Sequence, residues 1–225
     1  MLKQLRDLVN QRRVEPVPFN TSQFNDELAD RVRWDPVKSG GTNMRTHQLV
    51  IEEPFVAKFR ATIGYLIFCC IFLLIGVGII GGLLYSMYNK GKLTDTGSLI
   101  RIVMPLGFGS IFTLTGLFTL YGALSPIRFD KQTGDFRKGR KAANTMGAHE
   151  TDAESGLVKL NTIHALQLIK ERCRTKNSTY YSYELNLVLE SGQRINVVDH
   201  GGLNRIPEDA NQLSQFLGIP VWDAT

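Results

Sequence analysis

The chain has 225 residues, 26 Lys+Arg against 21 Asp+Glu, a formal net charge of +5 and 43% apolar residues. These averages resemble those of a soluble protein, but the apolar residues are bunched: 29 uncharged residues separate Arg60 from Lys90, and 26 separate Arg101 from Arg128. Each run exceeds the roughly 18–20 residues a membrane helix needs, which excludes a purely soluble protein, and the first begins too far into the chain to be a cleaved signal peptide.

By segment, residues 1–60 carry 10 basic and 8 acidic side chains, 89–101 carry 3 and 1, and 128–225 carry 13 and 12. None has the basic excess of a nucleic-acid-binding surface, so no nucleic-acid partner is expected. Cys69, Cys70 and Cys173 form neither a disulfide framework nor a zinc motif.

Residues 1–60 are expected to be an N-terminal arm. At its start, Met1, Leu2, Leu5, Leu8 and Val9 share a helical face, which suits a helix lying either on a membrane surface or on protein. Residues 14–46 are polar, with Pro16, Pro18, Pro36 and the Gly40–Gly41 pair, and predict an extended segment with one short helix near Asp26–Arg33. Trp34 is the arm's candidate contact with lipid headgroups or a partner. His47 to Arg60 is strand-like, and the piece at 55–60 is a candidate to join a sheet formed later in the chain.

Residues 61–125 predict a transmembrane hairpin. The first span, Thr62–Tyr88, places Gly78, Gly81 and Gly82 on one face, with Gly78 and Gly82 in GxxxG spacing and Gly76 pointing elsewhere. The second, Ile102–Leu124, has Pro105 near its start and Gly109 and Gly116 on a shared face. These five glycines are the candidate helix-packing residues. The connection is too short for a folded domain, so both large segments lie on one side. Nine Lys and Arg flank the outer ends within about 20 residues and three lie in the connection, which predicts both termini in the cytoplasm of a bacterial cell, with the hairpin in its inner membrane. The sequon at Asn177 then meets no glycosylation enzyme. The spans contain no ionisable Asp, Glu, Lys, Arg or His, and two helices are too few to enclose a pore without oligomerising.

Residues 126–225 change to a period of two. Ile127–Phe129 leads into the Asp130–Gly134 turn, and Asp135–Arg140 returns. Residues 142–156 are small and polar and predict a mobile loop. Strands follow at Val158–Leu160, Ile163–Ile169, Tyr180–Glu190 and Gln193–Val198, with a hairpin turn at Ser191–Gly192. Tyr181, Tyr183, Leu185 and Leu187 share one face of the longest strand, while Tyr180, Glu184, Asn186 and Val188 share the other. The last element is a helix: Pro207 opens it, Glu208 and Asp209 suit the positive end of its dipole, Ala210, Leu213, Phe216 and Leu217 make its stripe, and Gly218 stops it. The expected fold is a membrane α-helical hairpin plus an α+β domain, an antiparallel pleckstrin-homology-like (PH-like) sheet or barrel with a C-terminal capping helix.

The chemistry is sparse. The four histidines have no partner at ligand spacing on a common face, and hydrolase, phosphate-loop, metalloprotease and dinucleotide fingerprints are missing from the sequence, so no catalytic residue, metal or cofactor is expected. Two features suit anions or lipid. Arg137, Lys138, Arg140 and Lys141 follow the second span closely and suit anionic headgroups, or serve as topology signals. The Asp199–His200–Gly201–Gly202 turn has the glycines of a backbone anion nest, with Gly201 and Gly202 as its candidate contacts, or is a tight strand-to-helix connection.

The two-span hairpin, the Arg128–Gly134 segment RFDKQTG and the Phe216–Pro220 ending FLGIP together resemble bacterial two-span membrane proteins with a PH-like cytoplasmic domain. In element order the chain is also similar to the two-span photosystem I assembly factor family over residues 65–222. The resemblance implies a non-catalytic accessory, scaffold or assembly subunit of a membrane complex, with lipid and other subunits as partners, and brings no catalytic residue. The alternative is a membrane-anchored lipid- or ligand-sensing module.

Overall fold

The computed structural model describes residues 20–38, 40–90, 96–144, 156–174, 178–201 and 205–225. The expected helix at 1–13, residues 145–155 of the expected 142–156 loop, Asn177 and Gly202 lie outside the described residues. The chain divides into two compact units, Ala61–Ser125 and a second made of Met1–Arg60 with Pro126–Thr225. The arm is therefore part of the same unit as the C-terminal residues.

The first unit is a pair of long helices, α2 (Ile63–Lys90) and α3 (Thr96–Ala123). Both are long and apolar enough to cross a membrane, with mean hydropathy of 2.8 over Ile63–Asn89 and 1.6 over Ile100–Ala123. Pro105 lies inside α3 rather than near its start, because the helix begins at Thr96. Proline is tolerated inside membrane helices, where neighbouring groups take up the freed carbonyl.

The two helices meet through glycine. A Cβ on Gly76 would run into Thr113 and the Gly109 carbonyl, one on Gly109 into Ile80, and one on Gly116 into the Leu73 backbone. Thr113 Oγ1 donates to the Gly109 carbonyl at 2.8 Å, and Phe72 stacks on Phe112 with ring centroids 5.8 Å apart.

The other unit is α+β. The arm holds α1 (Glu27–Arg31), capped by the Asp26 carboxylate, which accepts the Leu28 N–H at 2.9 Å. Strands β1 (His47–Glu52), β2 (Val56–Ala61), β3 (Ile127–Asp130), β4 (Asp135–Lys138) and β5 (Leu157–Lys159) lie in that order in one sheet. The piece before the first span does join the later sheet: β2 pairs antiparallel with β3, Ala57 opposite Phe129. The chain then departs from expectation. Instead of strand to Arg140, Gly139 turns at φ +85° and α4 (Gly139–Asn144) follows, because Gly139 ends the extended run and Arg140–Lys141–Ala142–Ala143 are good helix formers.

The second sheet runs β8-β7-β6-β9, from β6 (Ile163–Arg174), β7 (Thr179–Leu189), β8 (Arg194–His200) and β9 (Val221–Ala224). Strand β9 pairs parallel with β6, so this sheet is mixed. Neither sheet closes on itself. Helix α5 (Ile206–Leu217) ends as expected at Gly218, φ +76°, whose N–H bonds to the Ser214 carbonyl.

The main core joins Phe59, Phe129, Phe136, Leu166, Leu168, Tyr183, Leu185 and Leu187 to Ile206, Ala210, Leu213 and Phe216 of α5. Tyr181, expected to share that face, is 43% exposed, and Lys170 lies over its ring. A bulge near the start of β6 decides which residues of that strand face in. Ile163 shares the core with Leu166 and Leu168, whereas Ala165 and Gln167 point to the opposite face.

Candidate functional site

The opposite face of β6–β7–β8 is buried as well, although its sequence is polar. Glu171, Ser182, Glu184, Asn186 and Gln167 are each at most 2% exposed. What covers them is the N-terminal arm. It crosses the sheet in two stages with different chemistry.

The first stage is apolar. Leu28, Ala29 and Val32 pack with Ala165, Val188 and Trp222, joined by Phe24 and Trp34. Trp34 stacks on Phe24 at 5.4 Å, lies 6.1 Å from the Trp222 ring, and donates its Nε1–H to the Ala29 carbonyl at 2.9 Å. Trp34 is thus an anchor within the chain, stacked on Phe24 and set against Trp222. His164 Nε2 lies 2.7 Å from Asp26 Oδ2 beside the same cluster. Burial works to raise the Asp26 pKa, but the bond with His164 and the Leu28 N–H hold it below the usual value.

The second stage is polar. Gln167 donates to the Arg33 carbonyl at 3.1 Å, and Arg194 donates to the Asp35 carbonyl at 2.7 Å. The Glu184 carboxylate accepts the N–H groups of Val37 at 2.9 Å and Lys38 at 3.3 Å. The Glu171 carboxylate accepts Gly40 N–H at 2.9 Å and Gly41 N–H at 3.5 Å. Tyr180 donates its hydroxyl to the Gly41 carbonyl at 2.9 Å, and Ser182 Oγ lies 2.7 Å from Asp199 Oδ1. A Cβ on Gly41 would overlap that Asp199–Ser182 pair, so only glycine fits there. Arg45 then clamps buried Asp209 of α5 through both carboxylate oxygens, at 2.9 and 3.1 Å.

Burial raises the pKa of Glu184, opposed by the Val37 and Lys38 N–H groups, and raises that of Asp199, opposed by Ser182. It raises Asp209 against the pull of Arg45. Burial, then the charges of Arg45 and His47, lower fully buried His200 to about 4. Lys138 is lowered to about 8 by burial and by Lys38, against the attraction of Glu184 and Asp199.

The expected anion contacts are rearranged. Lys138 turns inward and donates Nζ to both the Asn196 carbonyl and its side-chain oxygen at 2.7 Å, while Arg137 pairs with Asp135 at 2.9 Å. Both are used inside the unit; the alternation of β4 points Lys138 toward Asn196. Arg140 and Lys141 are exposed on α4. The Gly201 N–H faces the Met44 carbonyl of the arm at 3.4 Å, and a Cβ on Gly201 would meet the Asn43 backbone. The glycine therefore serves close approach of the arm. Of the helix-packing glycines, Gly109 and Gly116 lie in the α2–α3 contact together with Gly76, whereas, among the described residues, nothing lies within 4 Å of a Cβ added at Gly78, Gly81 or Gly82. Among the described residues no group of three or more His, Cys, Asp or Glu is arranged to hold a metal ion.

Sequence reasoning missed Glu171, Glu184, Arg194 and Gly41 as a set. Their available signal was the Gly40–Gly41 pair in the arm, together with charged residues midway along strands. Comparison with known proteins finds no matching family model, no matching curated protein and no matching solved structure.

Proposed function

We propose that this chain is a non-enzymatic accessory or assembly subunit of a larger membrane protein complex, anchored by its hairpin in a bacterial cytoplasmic membrane with both termini in the cytoplasm. The observation that carries the proposal is the division of labour among the glycines. The hairpin's own contact uses Gly76, Gly109 and Gly116, leaving Gly78, Gly81 and Gly82 as a second smooth face where, among the described residues, nothing lies within 4 Å of an added Cβ. Close approach at GxxxG lets another helix pack by dispersion and backbone contacts, the forces that drive association in lipid. The soluble unit, a β-sheet domain with a capping helix, is read as PH-like by its element order and presents the partner-facing surface. Its buried ionisable groups hold the arm in place.

The lipid-sensing alternative is weakened by the inward turn of Lys138 and the pairing of Arg137 with Asp135, which engage two of the four basic residues inside the unit. The test is purification in mild detergent of the wild type, the Gly78→Leu/Gly82→Leu variant and a Gly116→Leu control, with co-purifying subunits quantified by mass spectrometry. Loss of specific subunits from the first variant, with its soluble unit still folded, supports the proposal. Identical recovery from wild type and variant moves docking off this face. Thiol labelling that places the two termini on opposite sides of the membrane overturns the topology.

A further inference from the structure

From Pro36 to Met44, among the described residues, the hydrogen bonds from the sheet go to main-chain atoms of the arm; just ahead of this stretch Arg194 also reaches the Asp35 carboxylate at 3.4 Å and Trp34 packs on Trp222. Gln167 and Arg194 meet carbonyls, Glu184 and Glu171 meet N–H groups, and Tyr180 and Ser182 meet the carbonyls of Gly41 and Thr42. The side chains of Val37, Lys38, Thr42 and Asn43 are exposed. The face thus selects a backbone path with a residue lacking a Cβ at Gly41, preceded by Gly40 at φ +88°, a conformation that glycine favours. Recognition of this kind transfers to other chains, because every chain carries the same N–H and C=O groups.

The two stages of the arm also differ in what undocking exposes. Lifting Phe24, Leu28 and Trp34 would bare the apolar surface around Trp222. Lifting residues 36–38 and 40–44 would bare Glu171, Ser182, Glu184 and Asp199, all groups that water solvates well. The polar stretch is bounded by the aromatic anchor on one side and by the Arg45–Asp209 pair on the other, so it can leave the sheet while both ends stay fixed.

We propose that the β6–β7–β8 face is a docking groove for a glycine-bearing segment of a partner protein, filled in this structure by the chain's own residues 36–38 and 40–44 as a displaceable strap. The proposal deepens the assembly-subunit reading by naming the partner's chemistry. Its test leaves the hairpin untouched, so either idea can fail alone.

The probe is a fluorescein-labelled peptide with the sequence of residues 33–46, titrated by anisotropy into full-length protein in detergent. Gly41→Val, which cannot seat its own strap against Asp199 and Ser182, is expected to bind the peptide saturably and at least tenfold more tightly than wild type. Adding Glu171→Gln to that background should weaken binding at least tenfold, and a peptide carrying the same Gly41→Val change should not bind. The proposal is overturned if Gly41→Val keeps wild-type tryptophan emission and yet binds no peptide, or binds a scrambled peptide equally well. Should that variant not fold, amide exchange on the wild type decides. Val37, Lys38, Gly40 and Gly41 exchanging at least tenfold faster than Leu185 and Leu187 sustains the strap, and equal protection sinks it.

Discussion

His200 provides a sharp test of the buried electrostatics. It is fully buried at the end of β8, and its pKa is lowered to about 4 by burial and by the positive charges of Arg45 and His47. In the unfolded chain it titrates near 6.5. A histidine depressed in this way is neutral when folded, so below pH 6.5 the unfolded state binds a proton that the folded state refuses. Stability is lost as pH falls from 6.5 toward 4, at about 1.4 kcal/mol per pH unit, which comes to about 2 kcal/mol between pH 7.5 and 5. Glu184, Asp199 and Asp209 act in the opposite sense, because their folded pKa values are raised and folding favours their protonated forms. The comparison is therefore between wild type and His200→Phe, whose difference cancels the carboxylates. The assay is urea denaturation of the full chain in mild detergent, followed by tryptophan emission at each pH. Both tryptophans, Trp34 and Trp222, lie in the α+β unit, so emission reports that unit alone. The wild type should lose about 2 kcal/mol more than the variant on going from pH 7.5 to 5. Parallel pH dependences would refute the assignment of a proton-refusing site to His200.

Other perturbations follow from single contacts. Trp222→Ala removes the centre of the arm's apolar anchor and should cost about 3–5 kcal/mol, with Trp34 emission shifted to the red. Arg45→Met leaves the Asp209 carboxylate buried without its partner; a loss of about 2 kcal/mol at pH 7 is expected, shrinking as acid protonates Asp209, and is checked by the same denaturation series. Asp135 is held below the usual carboxylate range because the bonds from Lys159 and Arg137 overcome burial. Its contribution is present above the unfolded value of 3.8 and disappears as pH falls through the folded one, so Asp135→Asn should flatten the stability curve below pH 4 and leave its shape above pH 6 unchanged. Gly116→Leu places a side chain against the Leu73 backbone and should open the α2–α3 contact, whereas Gly78→Leu should leave it intact. Cross-linking between cysteines placed across the two helices distinguishes them.

Some features followed from local order in the sequence. Helix α5 needed only Pro207 at its start, a stripe at Ala210, Leu213 and Phe216, and Gly218 at its stop, because caps and periodicity act within a few residues. The hairpin spans needed only length and an absence of charge. The alternation of β7 separated Leu185 and Leu187 from Glu184 and Asn186 correctly, yet the second pair lies in the interior. Polar residues on a strand suggest a solvent face when another part of the chain is not known to cover it. That covering segment lies 147 residues away, where Val37 meets Glu184, and a polar arm without periodicity carries no sign of where it docks. The bulge that turns Ala165 away from Ile163 and the choice of Gly76 over Gly78 for helix contact are likewise settled only by packing. The sequence determined most of the helices and strands and the membrane-length segments; the tertiary structure decided which polar groups are buried, because burial depends on what the distant chain brings against them.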